Sequence, residues 1–574
     1  MSRIVFDDQR PSPTVNPGRF DVACFVGLVR LSAATAQMVT TAASALNTAL
    51  KTINDSSESL SLKAILSAAA IDNALQTNLS GLVSWFKKQG WSSGPFTPRV
   101  DATGTQRKPE DLLSLLDIPV PIESFADFTG LFDPGGGTGA SGTDYLAAAV
   151  RSFFAQGGRR CYVIRMGDPI APSDDPGELL TKLRVNDIYA ADDQRGWSGV
   201  THLAGLPEVS FLLLPDLPVL SSSLPPALSY APSALPAGPE QFVECSVADL
   251  TPSGLSTYSA PVPTLAENDY ANWAAIVRSV LWYLANSARE VQLVAAMPLP
   301  QSPDIATAAA AKAGSASILA ADIQDVVLAQ LDEKLALPAS LSTAFLQLSY
   351  PWLETTGSHV LLEGLEPPDG ALAGILARNA LTRGTFTSAT KVAPAEVFDV
   401  WPSLPTEETQ VSDKPLRWGD NSKKPLIERL SLFGPTPAGM RLLSDVTTSP
   451  GESYRAASVN RLASVISRAA RLLGNDLVFG NSGENQWARL RTSLTQLMTA
   501  LWQANALDGA TAQDAFSVKC DRSTMTQNDI DNGRLIAIVT FTAASTIELI
   551  RVTLAIEPAG AASLGPGLVL AGVA

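Results

Sequence analysis

Histidine is nearly missing from this chain. Among 574 residues only His202 and His359 occur, far apart and without metal-ligand spacing. The four cysteines, Cys24, Cys161, Cys245 and Cys520, form no CxxC pair, so a zinc centre has no ligand set. Scattered singly through a long chain, they read as small buried hydrophobes of a reducing compartment. Charge is scarce too. Charged residues are 17% of the total, below the usual ~25% of soluble domains. Much of the surface is therefore Ala, Ser, Thr, Pro or Gly, or is buried against other chains. The formal net charge is −15, a field that disfavours nucleic acid as partner. No run approaches the ~20 apolar residues of a membrane span, and Met1 to Arg10 has no apolar signal-peptide core. Those absences predict a protein folded in the cytoplasm, without membrane insertion.

What is present suits a packed core. Hydrophobic residues are 46%. At roughly 150 residues per domain the length corresponds to about four units. Residues 1–19 are polar, hold three prolines, and read as an extended arm in which Ile4, Val5 and Phe6 form a short strand-like patch. Phe20 to Val29 reads as a strand. Residues 32–110 are rich in Ala, Ser, Thr and Leu, with Leu46, Leu50, Ile53, Leu62, Ile65 and Leu66 at helical spacing, and read as an inserted helical subdomain.

An α/β rhythm follows. Pro119 to Phe128 is a short strand and turn. Asp144 to Gln156 is a helix closed by Gly157-Gly158, and Arg160 to Met166 is a strand. Further strands are expected at Val209 to Leu214, Val291 to Met297 and Ala344 to Leu348, with a helix at Trp273 to Ala288. Strands interleaved with helices imply a mostly parallel sheet. Residues 206–264 carry eleven prolines and read as a long irregular connection. Residues 401–424 are a polar linker. Beyond it, helices Ala456 to Leu473 and Asn485 to Leu507 precede strands at Phe516 to Lys519, Gly533 to Thr542 and Thr546 to Ile556.

Gly137-Thr138-Gly139-Ala140-Ser141-Gly142 fits GxGxxG. It follows a turn rather than a strand, and no Gly-Lys-Ser/Thr accompanies it. A flexible surface loop is the better reading, and no cofactor is expected.

From Lys423 to Arg491 ten basic residues face five acids, a local charge of +5 in an acidic chain. Arg461, Arg468 and Arg471 fall on one helix face, because offsets of seven and ten residues return near the start. Arg489 and Arg491 lie off the Trp487, Leu490, Leu494, Leu497, Leu501 and Trp502 stripe of the other helix. Two readings stand: a solvated basic face, or a docking face for an acidic partner.

Three stretches carry a family likeness. The first runs from Ser124-Phe125-Ala126-Asp127-Phe128 through Asp144 to Phe154 and Gly157 to Arg165. The second runs from Trp487-Ala488-Arg489-Leu490-Arg491 through Leu501-Trp502 and Gly509 to Ala515-Phe516-Ser517-Val518-Lys519-Cys520-Asp521. The third is Asp531-Asn532-Gly533-Arg534-Leu535. Together they resemble the contractile tail sheath proteins of phage tails, R-type pyocins and extracellular contractile injection systems. The likeness touches about 60% of the chain. The 32–110 block and the tail 561–574 depart from it.

The resemblance implies a multi-domain α/β fold: an arm (1–19), a core (20–31 and 111–400), the inserted subdomain (32–110), a linker (401–424), an α+β C-terminal domain facing an inner tube (425–545), and a C-terminal arm strand and tail (546–574). It implies a structural subunit that polymerises around an inner tube and contracts. A non-contractile cap or baseplate-associated homologue is the alternative. Partners would be further copies of the chain, an inner tube protein, and baseplate and cap proteins, in a particle assembled in the cytoplasm and able to leave the cell. The five arginines would then dock on the tube. Ile4, Val5 and Phe6 with Leu549, Ile550, Val552 and Leu554 would exchange strands between copies, because short isolated strands are unstable alone. The fold is described as related to subtilisin-like domains, which raises a serine hydrolase. Neither His has triad flanks and no G-x-S-x-G is present, so no enzyme is expected.

Overall fold

The computed structural model describes residues 20–37, 114–133, 145–169, 176–185, 197–222, 263–265, 267–300, 343–361, 364–404, 426–449, 451–475, 484–531, 535–544, 550–556 and 562–564. The arm residues Ile4, Val5 and Phe6, almost all of the 32–110 block, the 137–142 glycine loop, the 405–425 linker and Leu549 lie outside them.

A seven-residue apolar run without alternation must be buried on both faces, and β1 (Val22–Leu28) is buried at every position. It lies inside a sheet formed with β2 (Val120–Ile122), β3 (Arg160–Gly167), β4 (Phe211–Leu213), β6 (Gln292–Ala296), β8 (Leu346–Tyr350), β11 (Ser431–Thr436) and β12 (Gly439–Leu442). The order is β12-β11-β8-β6-β4-β1-β3-β2. The six inner strands run parallel, and the two edge strands are antiparallel to their neighbours. Smaller pairs are β5 (Thr264–Leu265) with β7 (Leu299–Pro300), and β9 (Trp352–Thr355) with β10 (Val397–Trp401). The mostly parallel sheet expected from the sequence is present.

Helices cover both faces. On one face Cys24, Val26, Leu212 and Leu293 pack with α3 (Pro176–Leu183), α4 (Leu217–Ser221) and α5 (Glu267–Ser287). On the other, Phe25, Val163, Phe211 and Leu213 pack with α2 (Tyr145–Ala155) and α6 (Asp369–Thr382). Phe25 meets Phe153 edge-on, centroids 5.7 Å apart. α2 ends at Gly157, whose φ of +100° is one that glycine adopts freely.

Three sequence boundaries move. The segment after β2 is a helix, α1 (Phe125–Leu131), rather than a turn, because the Ser124 Oγ accepts from the Asp127 amide at 3.1 Å and caps it. The described part of the Pro-rich stretch carries regular structure: β4 and α4 are built from 211–221, with Pro218 near the helix start, where its missing N–H costs nothing. Residues 431–442 were expected in the C-terminal domain, yet β11 pairs with β8 and completes the main sheet.

The C-terminal unit comprises α7 (Ala457–Asn475), α8 (Glu484–Gln503) and a sheet ordered β13 (Phe516–Lys519), β14 (Leu535–Phe541), β15 (Ile550–Ile556), β16 (Ala562–Leu564). Leu535, Ala537, Val539 and Phe541 alternate inward from β14 onto Leu462, Ile466, Trp487, Leu490, Leu494 and Met498.

Candidate functional site

The basic helix α7 is the joint of the molecule. Leu462 and Ile466 face the C-terminal core. Its arginines face the other way, onto the N-terminal rim of the main sheet. Arg461 makes a bidentate pair with Asp445, Nη1 to Oδ1 at 3.0 Å and Nη2 to Oδ2 at 2.7 Å. Asp445 also accepts from the Ala389 amide at 2.9 Å and from Gln347 Nε2 of β8 at 2.9 Å. Burial alone would raise the Asp445 carboxyl. Arg461 and these donors outweigh it and hold the group below its ordinary value.

Two turns on, Arg468 donates to the Val209 carbonyl at 2.6 Å and to Ser210 Oγ at 3.2 Å, just before β4. Its guanidinium lies 5.3 Å from the centroid of Phe20, just before β1. Burial lowers the Arg468 pKa to about 10, against the opposing pull of Glu290. Arg471 pairs with Glu290 at 3.3 Å, ahead of β6, and Arg455 with Glu428 at 3.2 Å, ahead of β11. One helix thus sits across the starts of strands β6, β4 and β1, and Arg455, two residues ahead of it, reaches the start of β11.

That placement corrects the expectation for Arg461 and Arg468. Their side chains are 2% and 1% exposed, so neither reaches a partner outside the chain. A polar helix face looks the same in sequence whether it meets water or buried carbonyls and carboxylates. Arg471 is half-buried in its ion pair. Arg489 and Arg491 are exposed on α8, with Trp487, Leu490, Leu494 and Met498 on its buried side.

The strand-exchange residues Ile550, Val552 and Leu554 lie in β15. That strand is not an arm in this chain. It is hydrogen-bonded by β14 along seven positions on one side and by β16 on the other. Donation to another copy requires breaking those pairs. The outer edges of the sheet are β13 and β16.

Among the described residues, no ligand crevice opens where such sheets usually hold one, at the carboxyl ends where strand order reverses. The reversal falls between β1 and β4. There Asp216 fills the gap: its Oδ2 accepts from the Leu28 amide at 2.6 Å, and a Cβ on Gly27 would lie 2.2 Å from that oxygen. His202 is paired with Asp117, Nε2 to Oδ1 3.0 Å, but is 1% exposed, so no substrate reaches it. His359 is exposed and bonds the Thr356 carbonyl of its own turn. No group of three potential metal ligands occurs among the described residues, and no described helix is long and apolar enough to cross a membrane.

No protein-family model and no curated protein matches the chain. Solved structures do. A chain of the anti-feeding prophage baseplate is 18% identical, over 79% of this chain and 89% of that one, with a TM-score of 0.47. A chain of the contracted sheath of an extracellular contractile injection system, PVC, is 16% identical, over 75% and 86%, at 0.42. The chain is similar to contractile tail sheath proteins. The sheath tail protein of Desulfitobacterium hafniense, at 14% identity, aligns over 51% of this chain and 60% of that one, at 0.28.

Sequence reasoning did not single out Asp445, the acid that Arg461 needs. The available signal was one carboxylate between β12 and the basic helix, in the otherwise uncharged stretch Leu442 to Pro450. Nor did it find Glu366, a buried acid bonded by Ser152 Oγ of α2.

Proposed function

We propose that this protein is a structural subunit of a contractile sheath, polymerising around an inner tube and shortening to drive the tube forward. The observation that carries the reading is the C-terminal sheet. Its outer strands, β13 of four residues and β16 of three, have no further partner among the described residues. Open edges on short strands invite pairing with another chain, and a strand supplied by a second copy satisfies the backbone groups while joining the subunits. Supporting it are the three sequence stretches of the family likeness. They supply α1, α2 and β3 of the main domain, and α8, β13 and the entry to β14 of the C-terminal unit.

In this reading the tube-facing residues are Arg489 and Arg491, exposed on α8, while Arg461, Arg468 and Arg471 hold the subunit together. Ile4, Val5 and Phe6 are the arm that reaches the open edge of a neighbour. The test is co-expression with the inner tube protein and negative-stain imaging. Long striated tubes that shorten on acid or denaturant shock support the reading. Rings or short stacks that never lengthen indicate a cap or baseplate subunit instead.

A further inference from the structure

Among the described residues four large hydrophobic side chains are exposed, and two sit in surroundings of opposite charge. Phe398 is 66% exposed on β10. Val397 pairs with Thr355 and Asp399 with Glu354, so Phe398 is the extra residue of a β-bulge, the device by which a strand re-aims a side chain. Around it Glu354, Glu396 and Asp399 are exposed. Arg151 lies 3.7 Å from Glu396. Trp282 is 52% exposed on α5. That helix has no carboxylate between Tyr270 and Arg289. On the Trp282 side lie Ala275, Ser279 and the partly exposed Arg278, at offsets of seven, three and four residues, and the partly exposed Arg289, just past the helix end, folds back to donate to the Ala285 carbonyl.

The two patches are differently placed. α5 packs on one face of the main sheet. Trp282 lies near the end of α5 that leads into the start of β6, whereas the β9–β10 ribbon begins just past the carboxyl end of β8, with Leu353, Val397 and Val400 in one core and Trp352 in the other. A knob and a platform at opposite ends of the sheet meet between copies, and such a head-to-tail contact closes as a ring or propagates as a helical filament.

We propose that the Phe398 knob of one copy docks on the Trp282 platform of the next, with the acidic rim of the ribbon against Arg278 and Arg289. This body-to-body contact rests on the polymer reading above and adds to it an interface independent of the chain ends.

The test uses the full chain with Cys245→Ser, since Cys24, Cys161 and Cys520 are buried. Trp282→Cys and Phe398→Cys are made separately, assembled as a mixture, and treated with a short bismaleimide. Both substitutions are at exposed positions, and unchanged melting confirms folding. The expected result is a covalent dimer linking 282 to 398, formed in the mixed particles and by neither variant alone. In parallel, Phe398→Asp should raise the concentration needed for assembly at least about tenfold, since it removes a buried aromatic from each contact. Particles that assemble at the normal concentration with no 282–398 link overturn the contact and leave the polymer standing. Unmodified chain that forms no particles with its tube overturns the polymer reading, and this contact with it.

Discussion

Arg461 and Asp445 lock the two halves of the chain through one bidentate pair, at 3.0 and 2.7 Å, with both side chains shut away from water. The acid belongs to the segment that follows the main sheet and the base to the first long helix of the C-terminal unit. A pair so placed is costly to break, because the survivor is a buried charge without a counter-ion.

Arg461→Leu should therefore destabilise the folded chain by about 3–5 kcal/mol. Arg489→Ala, on the solvent side of α8, should fall within about 0.5 kcal/mol of the parent. Urea unfolding of both variants separates a structural joint from a docking surface. Equal small effects would mean that the Asp445 site tolerates the lost charge.

Two sets of buried carboxyls should give stability opposite pH dependences, with the optimum on the acidic side of neutrality. Burial raises Glu366 to about 8, against the Ser152 and Thr355 hydroxyls and Arg151, with Asp369 adding to the rise. Burial likewise raises Asp369 to about 7, against the Gly370 amide. A raised carboxyl binds its proton more tightly in the folded state. Stability is therefore full below the ordinary values of 4.5 and 3.8 and declines as pH climbs toward 7 and 8. The slope approaches ~1.4 kcal/mol per pH unit for each group. Asp445 has the opposite sign: its contribution holds above its ordinary 3.8 and disappears as pH falls through its lowered folded value. Melting temperature from pH 5 to 9 should fall up to about pH 8 and level off above it, and Glu366→Gln should flatten the fall. A wild-type profile flat to pH 9 would contradict the raised carboxyls.

Arg489→Glu with Arg491→Glu should leave melting unchanged and make tube-templated extended sheaths rare. One exposed contact is worth only ~0.2–1 kcal/mol, but a polymer repeats it along the tube. High salt should imitate the variant in wild type, because at 1 M the screening length is about 3 Å. Full-length extended particles at normal frequency would show that this face is merely solvated.

Deleting 1–19 and deleting 546–556 should now differ. The first should leave a soluble subunit that does not form tubes. The second removes β15, which pairs with β14 over its whole length, and should unfold or aggregate the C-terminal unit. Solubility and far-ultraviolet dichroism of the two truncations decide it. A soluble, folded 546–556 deletion would restore β15 to the role of a donated arm.

Much of the architecture was legible because hydrophobic period is a local property. The buried strands at 22–28, 160–167 and 292–296 and the helices at 145–155, 457–475 and 484–503 announce themselves by apolar runs or by three-and-four spacing. The sequence by itself determined the parallel α/β class, the basic excess before Arg491, and the family likeness. Partner choice is not local. Which side of α7 meets water was decided by packing two domains against it, so that carbonyls and carboxylates some 16 to 260 residues away replaced solvent around Arg461 and Arg468. The same holds for β15. Its pattern marks a strand, but only the register along β14 makes it an inner one, and only the bulge opposite Thr355 and Glu354 turns Phe398 outward.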